Sequence, residues 1–186
     1  MRKIIYSTGV SLDGYISGPD GRFDWAAPDE ELHRFHNEQT RAVGAHFCGR
    51  RLYETMLPWE DLGDDPSEVM REFAHIWQAL PKIVFSTTLD RVRGNARLAT
   101  RGIAAEVAAM REQPGEDLAV GGAGLAASFM ELGLIDEFRL FVNPVVVGGG
   151  TPFFAPLEQR IDLELAETRT FGARVVYLRY RRTSSG

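Results

Sequence analysis

The sequence predicts one α/β domain, in which a mixed, mainly parallel sheet carries helices on both faces and ends in an antiparallel hairpin. First, short apolar runs of strand length alternate with longer runs of helical periodicity. Second, two stretches that alternate apolar and polar residues flank Phe171-Gly172-Ala173 near the C-terminus. Third, 186 residues without a repeat, linker or low-complexity run fit a single domain over 1–186.

The strands are short, apolar and bounded by turn residues, and they are predicted at 2–10, 44–48, 82–86, 96–100, 117–122 and 136–147. The helices have one apolar face and are predicted from about residue 29 and at 50–57, 66–80, 102–112 and 124–132. Pro28-Asp29 and Pro66 are start signals, and Pro58 stops the second helix. Residues 11–28 are predicted to be a loop, Pro144 marks a bulge or sheet edge, and 161–171 pairs with 173–182.

Composition excludes several classes of protein. Lys and Arg total 21 against 26 Asp and Glu, a net charge of -5 that argues against a broad nucleic-acid surface. Cys48 is the single cysteine, so neither an intramolecular disulfide nor a cysteine metal cluster can form, and no metal site is predicted. No signal peptide or run of eighteen apolar residues is present, which predicts a cytoplasmic protein without membrane contact. Walker, G-x-S-x-G and His-Glu-x-x-His motifs are also missing, so hydrolase and kinase functions have no support.

A glycine-rich turn is the clearest candidate for chemistry. Gly121-Gly122-Ala123-Gly124 lies between an apolar strand and a helix, where free backbone N–H groups favour a phosphate. A Cβ at these positions would keep the backbone from approaching a pyrophosphate. The alternative is a tight strand-to-helix turn without a ligand, and this motif alone leaves the two readings equal.

Two further strand ends carry groups that suit a phosphate. Gly49-Arg50-Arg51 opens a helix, and paired guanidinium N–H groups bind phosphate well, although a solvated surface pair looks the same. Ser86-Thr87-Thr88 follows the strand KIVFS, where the hydroxyls either contact a nucleotide or cap a turn. Because ligands of open α/β sheets bind outside the carboxyl ends of the strands, the three junctions together indicate NADP(H) rather than a mononucleotide. A Rossmann dehydrogenase is disfavoured, since SLDGY rather than a glycine-rich motif follows the first strand.

The first loop supplies candidate acids. Asp13 ends the first strand, so its carboxylate either enters a cleft or makes a hydrogen bond within its own loop. Trp25, Glu30 and Glu31 are candidates for binding a heterocycle, although acids in a first helical turn commonly just complement the helix dipole. The histidines are weaker candidates: the pair His33 and His36 is predicted at the surface, and His46, beside Cys48 on one strand face, in the core.

Several segments, in order, resemble the dihydrofolate-reductase-like proteins, in the branch similar to the reductase domain of bacterial riboflavin biosynthesis. They are SLDGYI, GRRLYE, KIVFS, AVGGAGLAASFMELGLIDEFRL and NPVVVGGGTPFF, which span roughly residues 4 to 155. The resemblance implies a three-layer dihydrofolate-reductase-like fold and an NADPH-dependent reductase. The implied substrate is 5-amino-6-(5-phosphoribosylamino)uracil, with a pterin as the runner-up. A regulatory module that binds NADPH without turnover is the alternative from another class.

The same resemblance implies roles for individual residues. The diphosphate of NADPH would lie on Gly121, Gly122, Ala123, Gly124 and Leu125. Its adenosine end would lie at Gly49, Arg50, Arg51, Ser86 and Thr87, and its nicotinamide at Gly9 and Ile16. Asp13 matches the acid near hydride transfer, and Glu30 or Glu31 the pterin-binding acid; Leu52 stands where the family often has Thr. The branch is commonly dimeric, and the long edge hairpin also predicts a homodimer.

Overall fold

A computed structural model describes residues 1–64 and 66–183. Within these ranges ten strands occur in the order β1 Ile4–Ser11, β2 Tyr15–Ser17, β3 Val43–Gly49, β4 Lys82–Phe85, β5 Ala96–Leu98, β6 Asp117–Gly121, β7 Glu137–Asn143, β8 Thr151–Pro152, β9 Leu163–Phe171 and β10 Val175–Arg182. The α-helices are α1 Glu30–Arg41, α2 Arg50–Met56, α3 Glu68–Ala79, α4 Ile103–Glu112 and α5 Ala123–Glu131. Short 3-10 helices cover Asp24–Ala26 and Leu57–Glu60.

Eight strands form the main sheet, in the order β5-β4-β3-β6-β1-β7-β10-β9. The neighbours from β5 to β7 are parallel, and β10 pairs antiparallel with both β7 and β9. This arrangement confirms the predicted mixed, mainly parallel sheet with a C-terminal hairpin at one edge. The carboxyl ends of the parallel strands therefore all open at one edge of the sheet.

Helices cover both faces, as predicted. On one face α4 and α5 pack over a core that includes Tyr6, Phe47 and Phe138. On the other face α2 and α3 cover β3 and β4, and α1 covers the hairpin end over Phe141 and Tyr177. Both α1 and α3 begin at caps, because Asp29 accepts the Leu32 amide N–H at 2.9 Å and Ser67 that of Met70 at 3.4 Å.

One end of the sheet keeps an apolar surface that the helices leave open. Strand alternation puts Leu140 and Val142 of β7 on the same face as Val176 and Leu178 of β10. Leu165 of β9 pairs with Tyr180 on this face. Val176 is 39% and Leu165 52% exposed. We call Leu140, Val142, Leu165, Val176 and Leu178 the hairpin face.

The predicted loop 11–28 contains structure that the pattern did not indicate. It holds β2 and the first 3-10 helix, and β2 pairs with β8 in a separate two-stranded sheet. The strand predicted at 136–147 ends at Asn143, because the chain turns at Pro144 and follows the first loop. Gly150 has φ +118°, and a Cβ there would lie 2.1 Å from the Ser17 carbonyl oxygen, so this close approach requires glycine.

Candidate functional site

Three of the predicted junctions lie side by side at the carboxyl edge of the sheet. Gly49 ends β3, Ser86 follows β4 and Gly121 ends β6, and β4, β3 and β6 are neighbours in the sheet. The register places Phe85 opposite Gly49 and Cys48 opposite Gly121. The structure therefore brings together the groups that the sequence predicted for one dinucleotide.

An open cleft of about 520 Å³ lies at the ends of β3, β4 and β5. Its lining is Arg50, Phe85, Ser86, Thr87, Thr88, Ala99 and Arg101. Arg50, Ser86 and Thr87 were predicted for the adenosine end of a dinucleotide, whereas Arg51 does not line the cleft. Sequence reasoning missed Arg101. The sequence pattern did indicate Arg101 as a candidate, since it follows a predicted strand just as Arg50 does.

Existing contacts already hold Arg50 and Ser86 in place. Nε of Arg50 donates to Glu54 at 3.0 Å, and one terminal nitrogen donates to the Thr88 hydroxyl at 2.8 Å. The Ser86 hydroxyl oxygen accepts the backbone N–H groups of Thr88 and Leu89 at 3.1 and 3.0 Å. Ser86 thus caps a turn, as its alternative reading held, and its hydroxyl also lines the cleft.

The glycines of the turn at 121–124 are explained by different structural requirements. A Cβ on Gly121 would lie 2.4 Å from Leu52 and 2.8 Å from His46, so side-chain packing excludes it. Gly122 has φ +91°, which favours glycine, whereas Gly124 faces open space. No side chain caps α5, so its first N–H groups lack partners within the helix and suit an anion. At Gly121 the neighbouring side chains thus give a reason for glycine that is independent of a ligand, and the expectation that a Cβ would block a pyrophosphate stays a prediction.

Three polar side chains lie close together beneath this turn, and they are those of His46, Cys48 and Lys82. The Cys48 sulfur is 3.3 Å from Nδ1 of His46, which confirms that the two share one side of β3. Burial lowers the pKa of His46 to about 4 and raises that of the Cys48 thiol to about 12. Lys82 is 2% exposed and donates to the Trp77 carbonyl oxygen at 2.5 Å. Burial also lowers its pKa. Cys48 is therefore protonated at neutral pH and is not a nucleophile.

The end of β1 is closely covered by the first loop. A Cβ on Gly9 would lie 3.2 Å from Cβ of Ala26 and 3.6 Å from the Asn143 side-chain nitrogen. Ile16 is half-buried and packs against the core that contains Tyr6 and Phe153. Of the two residues predicted to contact a nicotinamide, Gly9 therefore lies where Ala26 packs onto β1, and Ile16 lies against the core.

Asp13 joins two loops. One carboxylate oxygen accepts the Val147 amide N–H at 3.1 Å, and the other accepts that of Gly148 at 2.8 Å. The Ser11 hydroxyl and then these amides lower the pKa of Asp13, so it is a carboxylate at neutral pH. Asp13 is exposed, and its partners lie both in its own loop, at Ser11, and in the loop before β8. The hydrogen bond within its own loop that was the alternative for Asp13 is therefore present.

The candidate heterocycle contacts lie around the start of α1. Trp25 is half-buried in a 3-10 helix. Glu30 accepts from Arg34 at 2.7 Å, whereas Glu31 lies 3.5 Å from Arg169 of β9. The two acids therefore face different partners, and the structure does not bring both to one point.

Both α1 histidines are half-buried, which corrects the expectation that they lie on the surface. The His36 ring lies 4.3 Å from that of Phe141, and the His33 ring 6.1 Å from that of Trp59. Burial lowers the pKa of His36 to about 4 and also lowers that of His33. Packing of α1 against the sheet and α3 explains the difference. In 1–64 and 66–183 no three His, Cys, Asp or Glu side chains are arranged to hold a metal ion. None of the helices described is long and apolar enough to cross a bilayer.

Comparison with known proteins identifies the family. A profile of the RibD C-terminal domain matches residues 2–177. The protein YyaP of Bacillus subtilis, which is uncharacterized, is 35% identical over 182 residues, covering 96% of this chain and 94% of YyaP.

Solved structures agree on the fold. A putative riboflavin biosynthesis protein from Shewanella sp. PV-4 superposes with a TM-score of 0.78 at 22% identity, with 99% of this chain and 100% of the other covered. A diaminohydroxyphosphoribosylaminopyrimidine deaminase/5-amino-6-(5-phosphoribosylamino)uracil reductase from Thermotoga maritima gives 0.68 at 14%, covering 98% and 57%. Dihydrofolate reductase from Enterococcus faecalis, complexed with NADP(H), gives 0.61 at 12%, covering 98% and 97%. The fold is therefore dihydrofolate-reductase-like, and the chain belongs to the RibD C-terminal domain family, whose relatives include reductases.

Proposed function

We propose that the protein is an NADPH-dependent reductase of the riboflavin-pathway type. The observation that carries the proposal is the cleft at the ends of β3 and β4, which Arg50, Ser86 and Thr87 line together. A 2′-phosphate carries about two negative charges near neutral pH and needs cationic donors. Among the residues that the structure describes, none that lines this cleft is acidic, whereas NAD-selective sites commonly place an acid on the ribose 2′-hydroxyl.

The chain's own groups fit the rest of the cofactor. The uncapped start of α5 at Ala123, Gly124 and Leu125 supplies backbone N–H groups for a diphosphate. The turn at Gly49 lies beside the start of α5, and a Cβ on Gly49 would be 3.5 Å from Cβ of Leu125. Bound NADPH supplies a hydride, and the protein supplies orientation and electrostatics. This division of labour needs neither a metal nor a nucleophilic side chain.

The proposed substrate is 5-amino-6-(5-phosphoribosylamino)uracil, whose ribose would be reduced to a ribityl group. The Asp13 carboxylate is charged and held by two amides, so its proposed role is to orient the substrate or an opened imine form of it. Trp25 is the proposed aromatic contact for the pyrimidine. Glu30 and Glu31 lie in exposed ion pairs with Arg34 and Arg169, which are weak enough to give way to a ligand, so a pterin stays the second candidate substrate.

Oxidation of NADPH in the presence of candidate substrates tests this function. Purified protein is mixed with NADPH and then with 5-amino-6-(5-phosphoribosylamino)uracil or dihydrofolate, and absorbance of the reduced cofactor is followed at fixed pH. We expect consumption with the pyrimidine alone. Consumption with dihydrofolate alone would assign a pterin reductase. Saturable NADPH binding without turnover of either compound would assign a binding module.

We also propose that the protein is a homodimer joined through the hairpin face. Leu165 and Val176 expose apolar surface on two long, adjacent strands, and β9 is an unpaired sheet edge. A second copy would cover this surface by the same residues across a twofold axis. Light scattering at micromolar concentration is expected to give twice the chain mass of 20.7 kDa, and a monomer would refute the proposal. A cytoplasmic location remains a prediction.

A further inference from the structure

We propose that Arg101 is a second guanidinium for the cofactor's 2′-phosphate and that the buried Glu106 is the residue that positions it. This inference rests on the proposed NADPH-dependent function. It concerns two residues outside the motifs that carry the family resemblance.

The sheet order places the two arginines on opposite sides of the cleft. Arg50 follows β3, Arg101 follows β5, and β4 with Ser86 at its end lies between those strands. All three residues line the same cleft. A phosphate seated above the end of β4 therefore has a guanidinium on either side and hydroxyl donors below it.

Arg101 is the less occupied of the two cations. Arg50 already pairs with Glu54 at 3.0 Å, whereas the nearest carboxylate oxygen to the Arg101 guanidinium is that of Glu106 at 3.8 Å. The Arg101 side chain is 53% exposed, so it can turn toward a ligand at little cost. Its N–H groups are thus available for charge-assisted hydrogen bonds.

Glu106 organises the segment that carries Arg101. Its side chain is 0% exposed, and both oxygens take a two-point contact from Arg97 at 3.2 and 2.7 Å. One of those oxygens also accepts the backbone N–H groups of Thr100 and Arg101 at 3.0 and 3.3 Å. These contacts fix the backbone between β5 and α4, and with it the base of the Arg101 side chain.

The charges of Arg97, Arg101 and Glu106 sum to a net positive charge beside the cleft. Arg97 satisfies most of the Glu106 carboxylate, so the positive charge of Arg101 is only partly compensated. Hydrogen bonds from Arg97 and from the Thr100 amide lower the pKa of Glu106 to about 2. The Glu106 carboxylate therefore stays ionised at any pH suited to binding measurements. Arg97 thus keeps Glu106 from drawing Arg101 out of the cleft.

Titration calorimetry with NADPH and with NADH tests the arginine. We expect Arg101→Ala to weaken NADPH about tenfold, which corresponds to one charge-assisted hydrogen bond, and to leave NADH within twofold. Arg160→Gln is the matched control, because it removes one exposed positive charge before β9 at the far edge of the sheet. Suppose that the wild type prefers NADPH and that Arg101→Ala leaves the ratio of the two dissociation constants unchanged. That result would overturn the inference about Arg101 but not the proposed function. Wild-type protein that binds neither cofactor would overturn the proposed function instead.

A double-mutant cycle tests the positioning role. Glu106→Ala, which removes the oxygen that accepts the Thr100 and Arg101 amides, should lower the preference for NADPH in the wild-type background and add nothing in the Arg101→Ala background. Because loss of a buried carboxylate endangers folding, Arg97→Gln provides a second route. Arg97→Gln frees Glu106 to pair with Arg101. This variant should therefore lower the preference for NADPH over NADH when Arg101 is present and leave it unchanged in the Arg101→Ala background. Equal effects in both backgrounds would mean that Glu106 merely supports the fold.

Discussion

Replacement of Arg50 by Ala should weaken NADPH and spare NADH. Of its five N–H donors, one is used by Glu54 and one by Thr88, so three remain for a phosphate. The Arg50 side chain is 50% exposed, so we take the lower end of the range for a charged hydrogen bond, about 1.5 kcal/mol. That free energy corresponds to about a tenfold increase in the dissociation constant of NADPH.

The assay is a fluorescence titration of both reduced cofactors at one ionic strength. Arg51→Ala removes the same charge from the neighbouring residue, which does not line the cleft, and should change NADPH affinity less. Glu54→Gln releases the Arg50 guanidinium from its competing carboxylate and should tighten NADPH. If Arg50→Ala weakens NADPH and NADH equally, Arg50 supports the turn and does not recognise the 2′-phosphate.

Three further outcomes are expected. Asp13→Asn should lower turnover by about 10²-fold, the size expected for a misplaced substrate, with NADPH affinity nearly intact in steady-state kinetics; unchanged turnover would leave Asp13 only its contacts with the 147–148 backbone. Leu178→Asp should convert the dimer to a monomer in light scattering, whereas a persistent dimer would place the interface elsewhere. The folded-state pKa values of His36 and His46, about 4, lie below the unfolded value of about 6.5, so acid protonates the unfolded chain first. The free energy of unfolding, measured by urea denaturation, should therefore fall from pH 6.5 to 4, and a constant value would contradict this reasoning.

The sequence was informative where local rules decide the structure. Apolar runs predicted the long strands and helices, and the helix starts followed from side chains such as Asp29 that cap their own backbone. The junctions at Gly49, Ser86 and Gly121 could be predicted because parallel strands end at one edge.

The remainder depends on contacts between distant segments. The two-residue strand β8 has no pattern of its own and exists because Asp13 and β2 hold the later loop. Likewise, nothing near Lys82 predicts a buried amine, which requires the Trp77 carbonyl oxygen from a preceding helix. The packing reason for Gly121 could not be predicted, because Leu52 and His46 meet it only after folding.

The central place of β1 has a consequence for synthesis of the protein. Ile4 pairs with Leu118 of β6 and Ile5 with Glu137 of β7, so both neighbours of the first strand lie in the later part of the chain. At a ribosomal rate of about 5–20 residues per second, β1 emerges on the order of ten seconds before either partner. During that interval Ile4, Ile5 and Tyr6 are an unpaired apolar segment, and the parallel pairing that follows closes a long loop. The centre of the sheet can therefore close only after β7 has left the ribosome.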